Sequence, residues 1–445
     1  MTEIAIIGAG LAGLNCALTL EGAGVDVTLI DAADAPGGRI RTDVVEGFRL
    51  DRGFQVMLTR YPEAERAFDY EALKLRPLRP GALVRHDEKF HRFADPFREP
   101  LAAMRFALDN VIPMQDKLRV AKLRSYVMAG ETADIFAHPE NTTMKFLQEF
   151  GFSAAILERF FIPFFGGVFL ERELGTSSRF FEFLFRMFAS GQTAVPENGM
   201  EELPRQLAAQ LKAGTLLTHA KVRRITRSNR QFAIETDTKG IIEAAILVLA
   251  VAEHDCIPLL SGLAAKSKFL PKPRKWNQAT TFYYAAESSP VDEPIIVLNG
   301  EGAQAGPINN LAVMSRVSSQ YAPPGAELIA ASVVEQAPDS DEGMALLERE
   351  VRDHAARWFG RTANNWRVIG GYPIQYALPF AKATQWQSGP VRPVEDGIYL
   401  CGDAQETPSI NGALKSGRRV AEALLVRTGA RVPRNRADFD ASTSL

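Results

Sequence analysis

Six residues near the start of the chain, Gly8-Ala9-Gly10-Leu11-Ala12-Gly13, have the types and spacing to hold a phosphate against bare backbone. Gly8 permits a tight strand-to-helix turn, Gly10 lets a pyrophosphate approach the chain, and Gly13 lets the helix pack closely on the strand. Three glycines can fall near a strand by chance, so their surroundings decide. Ahead of them stands the apolar run Ile4-Ala5-Ile6-Ile7; behind them come Leu14, Ala17, Leu18 and Leu20 at helical spacing, stopped by Gly22 and Gly24. A second apolar run, Val27-Thr28-Leu29-Ile30, ends in Asp31, eighteen residues past Gly13. A carboxylate there accepts ribose hydroxyls and repels a 2′-phosphate. This β-α-β text reads as a dinucleotide-binding unit, with the phosphates at the helix N-terminus.

Two further blocks narrow the nucleotide. Gly37-Gly38-Arg39 follows the acidic strand end. Near the other end of the chain come Gly397-Ile398-Tyr399-Leu400-Cys401-Gly402-Asp403 and Ser409-Ile410-Asn411-Gly412-Ala413, a strand, a turn and a helix start that could complete the same site. The intervening residues would then fold out from a nucleotide domain. Together these blocks resemble the flavin amine oxidase and carotenoid (phytoene) desaturase superfamily. Its members include monoamine and polyamine oxidases, protoporphyrinogen oxidase, and phytoene and squalene desaturases. The resemblance is strong in the first sixty residues, over 196–251 and in the last fifty, and loose in between.

The resemblance implies an α/β fold: a Rossmann-type FAD-binding domain, discontinuous and of the GR2 type, with a mixed sheet-plus-helices substrate domain. Residues 1–60, 196–265 and 391–430 would form three parts of the FAD-binding domain. Residues 61–195 would be a mainly helical cap region, 266–390 the substrate-domain sheet and helix, and 431–445 a loose tail rich in Arg, Asp, Ser and Thr. Carried over position by position, Gly8, Gly10, Ala12 and Gly13 would hold the FAD pyrophosphate, Asp31 the adenosine ribose, and Gly38 and Arg39 the phosphate and ribityl side. Arg41 would lie toward the flavin, and Asp51 with Gly53 would follow its edge. Val222 takes the place whose backbone meets adenine. Gly402 and Asp403 would serve the ribityl hydroxyls or phosphate through charge-assisted hydrogen bonds. Ile410 and Asn411 would offer N–H groups to the flavin N1–C2=O edge, where a helix N-terminus stabilises the anionic reduced ring. In plainer terms Arg39 and Arg41 are also readable as a surface pair, and Asp403 as a helix cap.

The substrate is less legible. In the amine-oxidising branch a lysine stands just before the paired aromatics of the substrate sheet, and an aromatic cage residue stands two positions before the Asn411 site. Here the text before Tyr283-Tyr284 is Asn277-Gln278-Ala279-Thr280-Thr281-Phe282, Lys275 is too early, and the cage position holds Ser409. A cationic amine lacks one wall of its box. Ten of the 27 phenylalanines lie between Phe160 and Phe188. They could be a helical core wall, or a channel for a bulky apolar substrate, or a patch that dips into a membrane as a peripheral contact. With Ala377-Leu378-Pro379, which also resembles the desaturase side, this favours dehydrogenation of an isoprenoid- or tetrapyrrole-like substrate by hydride transfer to flavin N5. An amine or amino-acid oxidase is the alternative within the class. A flavin-fold prenyl-lipid or protein carrier is the alternative outside it, and an NAD(P) enzyme is disfavoured by the C-terminal block. Arg41, Gln55, Tyr376 and Asn411 are the candidates for polar groups facing the flavin.

Bulk properties exclude other classes. Lys plus Arg total 51 against 53 for Asp plus Glu, a net charge of −2 that gives no support for a nucleic-acid partner. The longest apolar run, Phe160 to Leu170, is too short to span a bilayer. The start Met1-Thr2-Glu3 carries an acid rather than a basic leader, and Cys16, Cys256 and Cys401 are too scattered for a disulfide framework. The expectation is a cytoplasmic protein. The six histidines have no metal spacing, so no metal is expected.

Overall fold

The computed structural model describes residues 2–95, 98–99, 109–229, 231–264, 267–382 and 390–429. The tail expected over 431–445 lies outside them. One seven-stranded sheet gathers strands from three separated stretches of chain: β1 (Thr2–Ile7), β2 (Val27–Ile30), β10 (Leu216–Leu217), β11 (Val222–Ser228), β12 (Gln231–Thr236), β13 (Gly240–Leu249) and β19 (Ile398–Leu400). Its order is β10-β2-β1-β13-β12-β11, and β19 pairs with β13 where β12 has ended. The central strands lie parallel, with Ile6 beside Leu29 on one side and Val248 on the other. Parallel strands are covered on both faces, which is why β1 and the end of β13 read as unbroken apolar runs. The first helix, Leu11–Glu21, and the final helix, Ile410–Thr428, pack on one face. Their approach is close: the Asn15 side chain donates to Leu414 O at 2.7 Å, and a Cβ on Gly417 would stand 2.1 Å from Ala12 O.

The second sheet is mixed, in the order β18-β14-β17-β16-β15-β7-β8. It comprises β7 (Ala82–His86), β8 (Lys89–Phe93), β14 (Trp276–Ala286), β15 (Val297–Asn299), β16 (Asn310–Val313), β17 (Glu327–Val334) and β18 (Arg367–Pro379). One face carries Phe282, Tyr284, Val297, Leu311, Ile329 and Val333 against Leu347, Val351, Ala355 and Trp358 of the helix Asp341–Phe359. That helix starts where Ser340 Oγ accepts the Gly343 N–H. The other face looks toward the helices Ile162–Phe169 and Ser178–Ser190, where most of the clustered phenylalanines sit. Short ribbons β3 (Thr42–Val45) with β4 (Phe48–Asp51), and β5 (Met57–Leu58) with β9 (Thr193–Val195) and β6 (Arg76–Pro77), link the two sheets.

Residues 61–195 also contribute strands. The β7–β8 hairpin belongs to the second sheet, and β6 and β9 form strand pairs. The hairpin was hidden because its turn, Asp87-Glu88, takes φ of 48° and 59° without a glycine or asparagine to announce it.

Candidate active site

A single cavity of about 1060 Å³ runs from the glycine loop to the phenylalanine cluster. At one end it is lined by Gly8, Gly10, Ala12, Asp31, Gly38 and Arg39 from the N-terminal stretch, and by Gly402, Asp403, Ser409 and Ile410 from the C-terminal stretch. The two stretches touch through a salt bridge, Arg39 Nη2 to Asp403 Oδ1 at 2.6 Å, with Asp403 buried and Arg39 partly open to the cavity. The return of β19 along β13 puts Asp403 there, since the chain leaves the sheet at the same edge as β1.

The glycines divide by task. A Cβ on Gly13 would lie 1.9 Å from Gly8 O, and one on Gly8 would meet Ala250 O at 2.7 Å, so both are needed for backbone packing. Gly13 itself is not on the cavity wall. Gly10 is different: nothing lies within 4 Å of where its Cβ would point. It caps the first helix with no side-chain hydrogen bond, leaving that N-terminus bare toward the cavity. Asp31 is held in place, Oδ2 accepting from Ala9 N at 2.5 Å and Oδ1 from Ala33 N at 2.8 Å. Bare backbone, an uncapped helix N-terminus and a fixed carboxylate are what a dinucleotide pyrophosphate and ribose require, so the cradle fits FAD.

Other expected positions are not brought to this wall. Arg41, expected toward the flavin, is buried and bonded to Asp34 at 3.0 Å and Glu201 at 3.4 Å, away from the cavity lining. Asn411 is buried too; its Oδ1 accepts the Glu63 N–H at 3.0 Å and ties the final helix to the short helix Pro62–Ala67. Both side chains are taken by neighbours in the fold, so neither faces the cavity. Val222 opens β11 and packs on the small core of the first sheet, off the lining. Gln55 and Tyr376 do line the cavity. Gln55 Nε2 donates to Arg39 O at 2.9 Å, while its buried Oε1 has no partner. Ser409 also faces the cavity and caps the final helix, its Oγ accepting from Gly412 N at 3.0 Å.

The Asp51–Gly53 step is split. Gly53 lines the cavity, but the Asp51 carboxylate turns inward to Thr42 Oγ1 (2.6 Å), Tyr321 Oη (2.7 Å) and Met200 N (2.9 Å). Burial pushes its pKa up to about 6, opposed by those hydrogen bonds. Tyr283 Oη donates to Asp51 O at 2.8 Å and Gly53 O at 3.2 Å, clamping this loop to the second sheet.

Two cavity residues, His254 and Trp276, were not singled out in the sequence. His254 stacks on Tyr376 with ring centres 4.0 Å apart, both meet Trp276 edge-on, and the Arg39 guanidinium lies 5.3 Å over the Trp276 ring. His254 follows the strand end at Leu249 and only the apolar run before it hinted at its place. The phenylalanine cluster turns out to be both core and wall. Phe161, Phe169, Phe181 and Phe183 are buried in the core, whereas Phe160, Phe164, Phe165, Phe180, Phe185 and Phe188 line the cavity. Among the described residues no helix is long and apolar enough to cross a membrane, and no cluster of three or more His, Cys, Asp or Glu could hold a metal.

Comparison with known proteins agrees with this geometry. The phytoene dehydrogenase of Streptomyces griseus is 29% identical over 316 residues, 62% of this chain and 61% of that protein. The hydroxyneurosporene desaturase of Rubrivivax gelatinosus is 42% identical over 94 residues, 20% of this chain and 18% of that protein. The matched stretches therefore cover less than two thirds of either relative. A putative protoporphyrinogen oxidase from Exiguobacterium sp. 255-15 has the same fold, with a TM-score of 0.71 at 17% identity over 96% of this chain and 99% of that one. The family described as flavin containing amine oxidoreductase matches residues 11–425. The chain belongs to the flavin-containing amine oxidoreductases, a class of FAD-dependent oxidoreductases.

Proposed function

We propose that the protein dehydrogenates a bulky apolar substrate of isoprenoid or tetrapyrrole type. The observation that carries this reading is the continuity of the cavity, from the glycine cradle to six phenylalanines, with Asp95, Arg98, Lys117 and Arg124 also on its lining. When bound, FAD supplies the two-electron oxidation of a C–H bond. The protein's part is to hold, orient and keep dry. Backbone at Gly8, Gly10, Ala12 and Gly38 would carry the pyrophosphate, with Gly13 setting the helix close enough. Asp31 would take the ribose, Arg39, Gly402 and Asp403 the phosphate and ribityl side, and the helix start at Ile410 the ring edge. The Phe wall excludes water from the reacting bond. Exposed Met114 and Leu118, on the helix whose Lys117 and Val120 line the cavity, support entry of the substrate from an apolar phase such as a membrane surface.

The second reading is an amine or amino-acid oxidase, and the His254–Tyr376–Trp276 corner favours it as an aromatic seat for a cation. Arg39 already lies over Trp276, however, and the Lys275 ammonium lies over Phe380 rather than on the cavity wall. The carrier reading leaves the open Gly10 and the Arg39–Asp403 bridge without a task. The test is anaerobic mixing of the flavin-loaded protein with acyclic carotenoids, porphyrinogens, primary amines and amino acids, followed by the visible flavin band. Bleaching by a polyene or porphyrinogen supports the proposal. Bleaching by amines alone would transfer the protein to the oxidase branch.

A further inference from the structure

On the sheet side of the cavity, one row of polar side chains stands among apolar ones. Register across the second sheet aligns Tyr372 of β18, Thr281 of β14, Ser332 of β17 and Asn310 of β16, one polar residue per strand. All four line the cavity. The two at the β18–β14 end are committed: Tyr372 Oη donates to Asp43 at 2.9 Å, and Thr281 Oγ1 accepts from Phe54 N at 3.1 Å. The other two are not. Ser332 Oγ and Asn310 Nδ2 are buried, at 5% and 2% residue exposure, and have no hydrogen-bond partner.

The orientation of Asn310 follows from its neighbours. Pro163 O can only accept, so the amide that approaches it at 2.9 Å is Asn309 Nδ2. The same Nδ2 lies 3.0 Å from Asn310, which must therefore present its Oδ1 there and turn its NH₂ to the cavity. Gly167 leaves room for the pair, since a Cβ on it would stand 2.9 Å from Asn309 Nδ2 and 3.0 Å from Asn310 Oδ1. Facing residues on adjacent antiparallel strands have Cβ atoms about 5 Å apart, so both donors can reach one oxygen. Leaving two buried donors unmet is costly, and an apolar pair would serve a pure hydrocarbon better.

We propose that Ser332 and Asn310 form a subsite for an oxygen acceptor, a hydroxyl, keto or ether oxygen, on the otherwise apolar substrate. The inference rests on the apolar-substrate reading above and narrows it to oxygenated molecules. The experiment is displacement of the apolar dye Nile red from the flavin-loaded protein by geranylgeraniol and by the hydrocarbon of the same skeleton without the hydroxyl. One hydrogen bond makes the alcohol roughly three- to ten-fold more effective. Ser332→Ala and Asn310→Leu each lower that ratio, and the two together bring it close to one, while displacement by the hydrocarbon stays unchanged. Equal displacement by both compounds in the native protein, or a ratio that survives both substitutions, overturns the subsite alone. Displacement by neither compound overturns the apolar-substrate reading and the subsite with it. If either variant fails to fold, the ratio in the native protein and the other variant decides.

Discussion

The two ends of the cavity are built on opposite plans. The cradle is made of backbone: Gly8, Gly10 and Gly38 are there for what they lack, and one carboxylate, Asp31, is added. The far wall is made of side chains that come from several helices and strands and meet only through packing and register. Backbone recognition is written in a short stretch of chain, because a turn and a helix start are local. Side-chain recognition is written in the alignment of strands distant in sequence, and it changes when a single strand slips by one residue.

The largest expected effects separate core from wall within the phenylalanine cluster. Phe161 is 0% exposed and off the cavity lining, and Phe161→Ala should cost roughly 3–5 kcal/mol of stability. Phe164→Ala, at a half-buried position on the cavity, should cost less stability and raise KM more. Chemical denaturation and steady-state kinetics on the pair would check this, and equal stability losses would mean that the cluster is core alone.

The glycines provide the matching contrast in the cradle. Gly13→Ala drives a Cβ into Gly8 O and should cost about 3 kcal/mol, with flavin lost as the turn opens. Gly10→Ala meets no protein atom, so stability of the flavin-free protein should stay within about 0.5 kcal/mol while flavin affinity falls about ten-fold or more. A Gly10→Ala protein that retains flavin normally would show that the pyrophosphate does not pass there.

Next in size is a pH effect at the junction of the two regions. The Asp51 pKa of about 6 lies above the ordinary 3.8, so the folded state disfavours the ionised carboxylate. That cost is absent below about pH 4, grows between 4 and 6, and is complete above it, so stability falls as pH rises through this window, by ~3 kcal/mol for this group. Asp51→Asn should flatten that part of the stability profile. Parallel profiles for the two proteins would place the titration elsewhere. The smallest effect is expected at Arg39→Lys, where a partly exposed bridge to Asp403 and the stacking on Trp276 are weakened, raising the flavin dissociation constant a few-fold.

Much of the cradle was legible because each signal was local. The run Ile4–Ile7, the glycines, Asp31 and the returning strand before Asp403 each occupy a few consecutive residues. Arg41 and Asn411 were misplaced for a physical reason: type and position put them beside the site, but Glu201 and the Glu63 N–H, both distant in sequence, turned their side chains away. The β7–β8 hairpin escaped because its turn uses Asp and Glu. The row from Tyr372 to Asn310 could not be read at all, since it exists only in the pairing of four strands.

The most direct test of the account is single-turnover bleaching of the flavin by an apolar polyene or porphyrinogen in the native protein and in Phe164→Glu, which places a charge on the wall but leaves the cradle untouched. The variant should keep its flavin and lose most of the bleaching. Undiminished bleaching in that variant would contradict the claim that the phenylalanine wall receives the substrate.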